Sequence, residues 1–334
     1  MTSAFISTIK LFGSKFCSNE IACAFSTRKL EHIGTLQPLQ NKPKYKTGQM
    51  FLHKVFAYRG VILFPWTVNV YERKPEIRTP QENDVRNLLK NAVPDIRTYY
   101  QVLMDTRDTS SIAMQTEAVT FLSAADLGMG NTNVLYTIPG IDYVAHEDII
   151  PYTSVENAPL QHKLFETFLK RGANEELYAT ESFNNWQSTN HTCLELSKVY
   201  LETTKNIQVT AIPFFLGFKK SRKSQPAEYW WRYCIRVENL GEASVQLQER
   251  NWRIFSNGSV QAVKGRGVVG REPVLDSNQP AFQYSSHVSL RSPNGHMWGT
   301  FCFEKEDGEQ FDIRIPSFIL ESKSLKSCDL NNDV

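Results

Sequence analysis

From Trp230 to Leu320 the apolar side chains recur at every second position, a period that restricts the C-terminal third of this chain to strands with one face turned to a core. In YWWRYCIRVENL, Trp231, Tyr233, Ile235 and Val237 fall on one face, and Trp230, Arg232, Cys234, Arg236 and Glu238 on the other. Phe282 and Tyr284 alternate with polar neighbours, as do Phe301 and Phe303, and Phe311, Ile313 and Ile315. Val245, Leu247, Trp252, Ile254 and Phe255 extend the pattern upstream, and Ile207–Ile212 and Phe214-Phe215 supply further runs. Short strands separated by turn pairs (Asn257-Gly258, Asn294-Gly295 and Asp307-Gly308) predict a mainly β protein whose C-terminal part is a sandwich. On that reading Cys234 and Cys302 lie on the more polar faces, where partial exposure is expected.

Gly265-Arg266-Gly267-Val268-Val269-Gly270 spells the G-x-G-x-x-G of dinucleotide sites. That fingerprint works when the glycine turn opens a helix whose N-terminus holds a pyrophosphate. Here Arg271, Glu272 and Pro273 follow, then a turn at Asp276-Ser277-Asn278, and no apolar stripe of helical period. The glycines therefore shape a strand connection.

GRGVVGREPVL (Gly265 to Leu275), QPAFQYSSHVSL (Gln279 to Leu290), GHMWGTF (Gly295 to Phe301) and IPSFIL (Ile315 to Leu320), in that order, resemble the ApaG domain over roughly Leu196 to Ser322. The resemblance implies an immunoglobulin- or fibronectin-like sandwich acting as a binding module, without catalytic residues. It also implies a pyrophosphate role for the glycine motif, which makes Gly265, Arg266, Gly267, Gly270 and Arg271 candidate anion ligands.

Upstream, Gly48 to Trp66 reads as two strands about a turn at Tyr58 to Gly60, and Tyr99 to Met104 as a third. Glu117 to Leu122, Leu135 to Ile138 and Asp142 to Ile150 offer more. Glu72 to Arg97 is polar, with Pro75, Pro80 and Pro94. It is expected to form a surface insertion with one short helix at Val85 to Leu89. FAYRGVI (Phe56 to Ile62), the Tyr99-Tyr100-Gln101-Val102-Leu103 run and YVAHEDI (Tyr143 to Ile149) resemble the YccV/HspQ family over about 46 to 154. That family implies a small SH3-like barrel, with links to hemimethylated DNA and to an AAA+ protease. Lys54 and Arg59 are the candidate phosphate contacts.

Between the two β regions, Leu160, Leu164, Phe165, Phe168 and Leu169 form a helical stripe that Gly172 should end, and Phe183 with Trp186 suggests a second short helix. Gln161-x-x-Leu164-x-x-Thr167-Phe168 partly matches the clamp-binding box Q-x-x-[ILM]-x-x-aromatic-aromatic, with Thr167 in place of the first aromatic. A helix packed between two β domains accounts for the same residues.

The chain of 334 residues has a net charge of +2, yet residues 1–46 hold seven Lys/Arg against Glu20 and Glu31 and so carry +5, leaving −3 on the rest. A slightly acidic folded part argues against a broad nucleic-acid footprint. Residues 1–30 are Ser-rich and basic, with Phe5, Ile9, Phe12 and Phe16 at helical spacing; this start reads as a mitochondrial transit peptide. Cys193, Cys234, Cys302 and Cys328 form no C-x-x-C pair, which fits a reducing compartment. The expected organisation is a transit peptide and disordered lead over 1–44, then a YccV/HspQ-like domain over 45–155 with its insertion at 72–97. A helical connector follows over 156–196, then an ApaG domain over 197–322 and a disordered tail over 323–334.

No H-E-x-x-H, G-x-S-x-G or Walker loop is present. Ser285, Ser286 and His287 are neighbours on a strand and point to alternating faces; His287 and His296 alone are too few ligands for a metal. The expectation is a non-catalytic, cofactor-free monomer that presents aromatic side chains to partners, with Trp66, Trp230, Trp298, Leu164 and Phe168 as candidate contacts. The two domains in this order behind a basic presequence resemble a family of polymerase-associated adaptors. That resemblance implies the small subunit of DNA polymerase delta, the sliding clamp and the mitochondrial AAA+ unfoldase-protease as partners. The matrix is the implied location, with a nuclear pool besides. The alternatives are an anion- or nucleotide-sensing glycine loop and DNA binding through the first domain.

Overall fold

The computed structural model describes residues 32–38, 45–73, 94–108, 140–156, 158–219 and 227–323. The expected helix at Val85 to Leu89 and the strands at Glu117 to Leu122 and Leu135 to Ile138 lie outside the described residues.

In the first β region, β1 (Gly34–Leu36), β2 (Met50–His53), β3 (Arg59–Arg73), β4 (Asp95–Met104), β5 (Ile141–Ala145) and β6 (Ile149–Ser154) pair in the order β1-β6-β2-β3-β4-β5. The ladder stops at β5, which pairs with β4 alone, so the expected barrel is open rather than closed. The turn joining β2 to β3 is at Lys54 to Phe56, not at Tyr58 to Gly60, because Tyr58 is fully buried and its main-chain carbonyl accepts the His53 N–H. The interval read as an insertion is strand at both borders, where β3 runs through Glu72 and Arg73 and β4 starts at Asp95.

Strand β3 is long because RGVILFPWTVNVYER is apolar on both faces. Ile62 packs with Phe51, Tyr58 and Tyr100, while Val61 and Leu63 face Met50, Leu103 and Phe168. A sheet covered on both sides tolerates a continuous Val-Ile-Leu run where a half-exposed one would alternate.

The connector is less helical than its stripe predicts. Phe165–Phe168 forms a single turn, α1, and Leu169 already belongs to strand β7 (Leu169–Arg171), paired with β8 (Leu177–Ala179). Five large apolar residues in ten are satisfied here by one sheet face, which the Leu160–Leu169 spacing alone does not distinguish from a helix. The second helix, α2 (Glu181–Thr189), is present and is capped by Thr180, whose Oγ1 accepts the Phe183 N–H at 3.1 Å. A last turn, α3 (His191–Leu194), follows.

The C-terminal region is a sandwich. One sheet carries β9 (Lys198–Thr204), β10 (Ile207–Lys219), β11 (Glu228–Asn239) and β15 (Ala281–Leu290). The other carries β13 (Ser259–Arg266), β12 (Val245–Ser256), β16 (Asn294–Lys305) and β17 (Gln310–Glu321), with the short β14 (Val274–Leu275) against β12. Between them Trp231, Tyr233, Ile235, Val237, Trp252, Phe301, Ile313 and Phe318 close one core, on the face that the alternation assigns them. Asn257-Gly258 and Asp307-Gly308 are turns; Asn294 and Gly295 instead start β16, the turn lying just before them.

The two β regions are one continuous sheet. The C-terminal end of β3 (Asn69–Arg73) runs parallel to β9 (Lys198–Glu202), while its N-terminal end pairs with β2. Pro65 lies between these two stretches, at the part of β3 where that edge has no strand and a missing N–H costs least. Because main-chain bonds cross from one region to the other, heat unfolding followed by far-UV circular dichroism and by calorimetry should give one coincident transition. Two resolved transitions would show that the β3–β9 ladder does not couple the regions.

Candidate functional site

The glycine motif ends β13 and turns the chain back toward β14. Gly265 stands opposite Arg250 in the β12–β13 ladder, and a Cβ there would meet the Arg250 guanidinium at 2.9 Å. The open space lets Arg250 Nη1 donate to the carbonyls of Arg266 (2.9 Å) and Gly267 (2.6 Å). Gly267 adopts φ +57°, and a Cβ would strike the Arg271 carbonyl at 2.2 Å. Val268 and Arg271 exchange main-chain hydrogen bonds across a two-residue turn, Val269 (φ 44°) and Gly270 (φ 75°). The Gly267 amide donates to Gln248. The amides of Gly267, Val268 and Arg271 are therefore used within the fold, and Arg266 is held by Glu272. Arg271 is exposed beside them. The constellation Gly265, Arg266, Gly267, Gly270 and Arg271 is brought together at a strand end, where the Gly267 and Arg271 amides and the Arg266 guanidinium already have partners within the fold.

A dense, buried polar cluster lies where the first β region meets β11, and its centre is Arg236. The polar face assigned to β11 is buried against the first region. Arg236 is 8 % exposed, and Cys234 9 %, which corrects its expected partial exposure. Burial pushes the Cys234 thiol up to about 12, so it stays protonated. Arg236 Nε donates to Gln283 Oε1 (3.0 Å) and Nη1 to Asp148 Oδ2 (3.1 Å). Glu238 and Asp142 stand 3.7 and 4.0 Å away, and the guanidinium lies 5.0 Å from the Phe56 ring centre. Asp142 in turn receives the Tyr58 hydroxyl (2.9 Å), Gln283 Nε2 (2.8 Å) and the Tyr143 amide (2.8 Å).

His53 completes the cluster. Its Nδ1 receives the amides of Val55 (3.1 Å) and Phe56 (3.2 Å), and its Nε2 lies 3.3 Å from Arg236 Nη2. Both ring nitrogens face donors, so a second proton would set a cation against the guanidinium. Burial, and then Arg236, hold its pKa well below the ordinary histidine value. Sequence reasoning placed Arg236 on an outer face. The only sign of its burial was an apolar Cys234 and aromatic Trp230 on the same side.

The remaining candidate contacts separate into buried and surface groups. Trp66 is 6 % exposed and packs on His191, and Phe168 is 3 % exposed against Phe183 and Trp186. Both serve the core, and Leu164 is half-buried beside them, so the partial clamp box is folded into the connector rather than presented. Arg59 is bound bidentately by Asp108 and lies near Glu156, which occupies the guanidinium that a phosphate would need; Lys54 is exposed. Trp230 and Trp298 are half-buried, Trp298 on the outer face of the second sheet across from Arg253. His287 stands opposite Arg232 on the first sheet and His296 on the second, and no cluster able to hold a metal occurs among the described residues.

Comparison with known proteins places this architecture. Residues 43–176 match the family described as hemimethylated DNA-binding protein YccV like, and residues 219–305 match the ApaG domain. The chain is 53% identical over 300 residues to "Polymerase delta-interacting protein 2" of Mus musculus, covering 88% of this chain and 80% of the relative. The Homo sapiens protein of that name gives the same identity and coverage. The chain belongs to the polymerase delta-interacting protein 2 family. Bacterial "Protein ApaG" from Paramagnetospirillum magneticum is 44% identical over 125 residues, 37% of this chain and 94% of its own. This chain thus joins a YccV-like and an ApaG unit, and the name of its relatives marks them as interaction proteins.

Two outcomes follow from the cluster. Arg236→Met should cost about 3–5 kcal/mol in urea unfolding, since Asp142 and Asp148 lose their buried counter-charge; a loss under about 1 kcal/mol would show that water replaces it. His287, held down to about 4 by burial and then by Arg232, adds a pH dependence. In the unfolded chain it binds a proton below about 6.5, and in the folded protein only near 4. The unfolded state therefore holds more protons in that window, and stability falls as pH drops through it. His287→Gln should flatten the stability–pH slope between pH 6 and 4.5 by up to about 1.4 kcal/mol per unit. Parallel slopes would refute it.

Proposed function

We propose that this protein is a non-catalytic adaptor that binds the small subunit of DNA polymerase delta and the sliding clamp, and that engages the mitochondrial AAA+ unfoldase-protease. The observation that carries the reading is identity of 53% across 88% of the chain to relatives named for interaction with polymerase delta. The continuous sheet supports it physically, because a rigid pair of β units presents fixed edges and outer faces without ordering cost. The basic, Ser-rich start supports delivery to the mitochondrial matrix, with a further pool in the nucleus.

Purified full chain should bind immobilised polymerase delta small subunit in biolayer interferometry, and His53→Ala or Arg236→Met should weaken binding only as far as they unfold the protein. No binding to the small subunit, the clamp or the unfoldase-protease, each tested alone, would sink the adaptor reading. Import into isolated mitochondria, lost on deletion of residues 1–44, tests the location separately.

A further inference from the structure

We infer that the free edge of β13 is a docking strand for an acidic, extended segment of a partner protein, which joins the second sheet as an added strand. The inference deepens the adaptor reading and rests on it for the existence of a protein partner.

The direction of the backbone groups follows from the turn. Asn257 (φ 49°) and Gly258 (φ 76°) form a two-residue hairpin turn with both angles positive, and Ser256 stands opposite Ser259. In such a hairpin the closing pair exchanges both main-chain hydrogen bonds, and every second pair along the ladder does the same. The bonded pairs are then Ile254/Gln261, Trp252/Val263 and Arg250/Gly265. The Gly267 amide donating to Gln248 at 2.7 Å continues the same parity. Val260, Ala262 and Lys264 therefore turn their N–H and C=O groups away from β12, and among the described residues β13 pairs with no other strand. The Arg266 carbonyl is taken by Arg250, so the open stretch ends at Lys264.

Side chains then set the chemistry of the occupant. Val260, Ala262 and Lys264 share the outer face with Phe255, Arg253 and Asn251, their opposites on β12, and Arg253 lies across from Trp298 on β16. Val260 is 51 % exposed. Arg253 and Lys264 are exposed and have no ion pair or side-chain hydrogen bond among the described residues. An unpaired strand edge beside an apolar patch and two uncompensated cations fits an extended peptide with apolar and acidic side chains on one face. A second copy of this chain would bring four such cations onto one face. A nucleic acid would leave the outward N–H and C=O alternation unmatched.

The test is fluorescence anisotropy of the full chain with labelled octapeptides of alternating glutamate and valine or alternating lysine and valine, at low and at roughly 0.3 M salt. The glutamate peptide should bind and the lysine peptide should not. Ala262→Pro removes an outward N–H without touching the β12 ladder, and it should weaken binding at least tenfold with the thermal transition unmoved. Lys264→Glu should do the same by charge, and it keeps the test decisive should the proline disturb the strand. Equal binding of the two peptides, no binding of the glutamate peptide, or unchanged binding by both variants would overturn the proposal. So would a dimer in sedimentation that Ala262→Pro dissolves, which would assign the edge to a second copy. Polymerase delta small subunit binding that survives both variants, with no peptide binding, would overturn the docking strand and leave the adaptor reading intact.

Discussion

A guanidinium in a protein interior is tolerable only when its charge and its donors are met in place, and Arg236 is where that condition organises this molecule. Strand β11 faces the sandwich core with Trp231, Tyr233, Ile235 and Val237, and it faces the first β region with Cys234 and Arg236. The groups that satisfy Arg236 come from four separate places: Gln283 on β15, Asp142 on β5, Asp148 in the turn before β6, and Glu238 on its own strand. Asp142 is itself fixed by Tyr58 from β3's leading loop and by Gln283. An apolar contact could slide by a residue at small cost. This network closes in one docking of the two regions, because any shift leaves a buried charge without its partner.

Strand β3 makes the same junction in main-chain terms. Its first residues belong to the meander β6-β2-β3-β4-β5, and its last five lie parallel to β9 of the sandwich. Parallel pairing goes with faces that are covered: Val68 and Val70 pack with Leu194, Leu196, Val199 and Leu201 on one face, and Tyr71 stacks on Tyr200 at 5.2 Å on the other, against the sandwich core. The two modules named by the family matches are consequently not beads on a linker. Their shared sheet removes the adjoining edges of β3 and β9 from use, and the terminal strands of the described sheets, β13 among them, keep an unpaired edge.

Much of the sandwich was legible because period two has one structural meaning when one face is wet. The Trp231 and Ile313 faces and the strand setting of the glycine motif followed from it, and the Asn257-Gly258 pair marked the turn between strands. The same logic failed where both faces are dry. Alternation marked Cys234 and Arg236 as outward, yet a second layer covers them, and no local pattern announces a layer contributed by residues more than eighty positions away. The stripe Leu160 to Leu169 misled for the converse reason: apolar residues demanded by a sheet face fell at spacings that a helix also uses. Trp66 was read as a partner contact on side-chain type and Phe168 on the partial clamp box, and neither type nor motif reports burial. Strand β13 went unread because its outer residues are mixed and exposed, although runs on both sides of Asn257-Gly258 imply a hairpin.

That overlooked strand poses a problem which the rest of the fold answers. An eight-residue exposed edge invites pairing with any other edge, itself included. The glycine motif limits the hazard at one end: with no Cβ at Gly265, Arg250 reaches across and takes the Arg266 carbonyl, and Gly267 turns the chain out of the strand. The cations Arg253 and Lys264 limit it along the rest, since like edges meeting there would repel. Repulsion of that kind is selective. It disfavours copies of this chain and other basic edges, and it lowers the barrier to an acidic strand by the same Coulomb term with its sign reversed. The features that disfavour like edges pairing at β13 are therefore also the ones that state which partner the edge accepts.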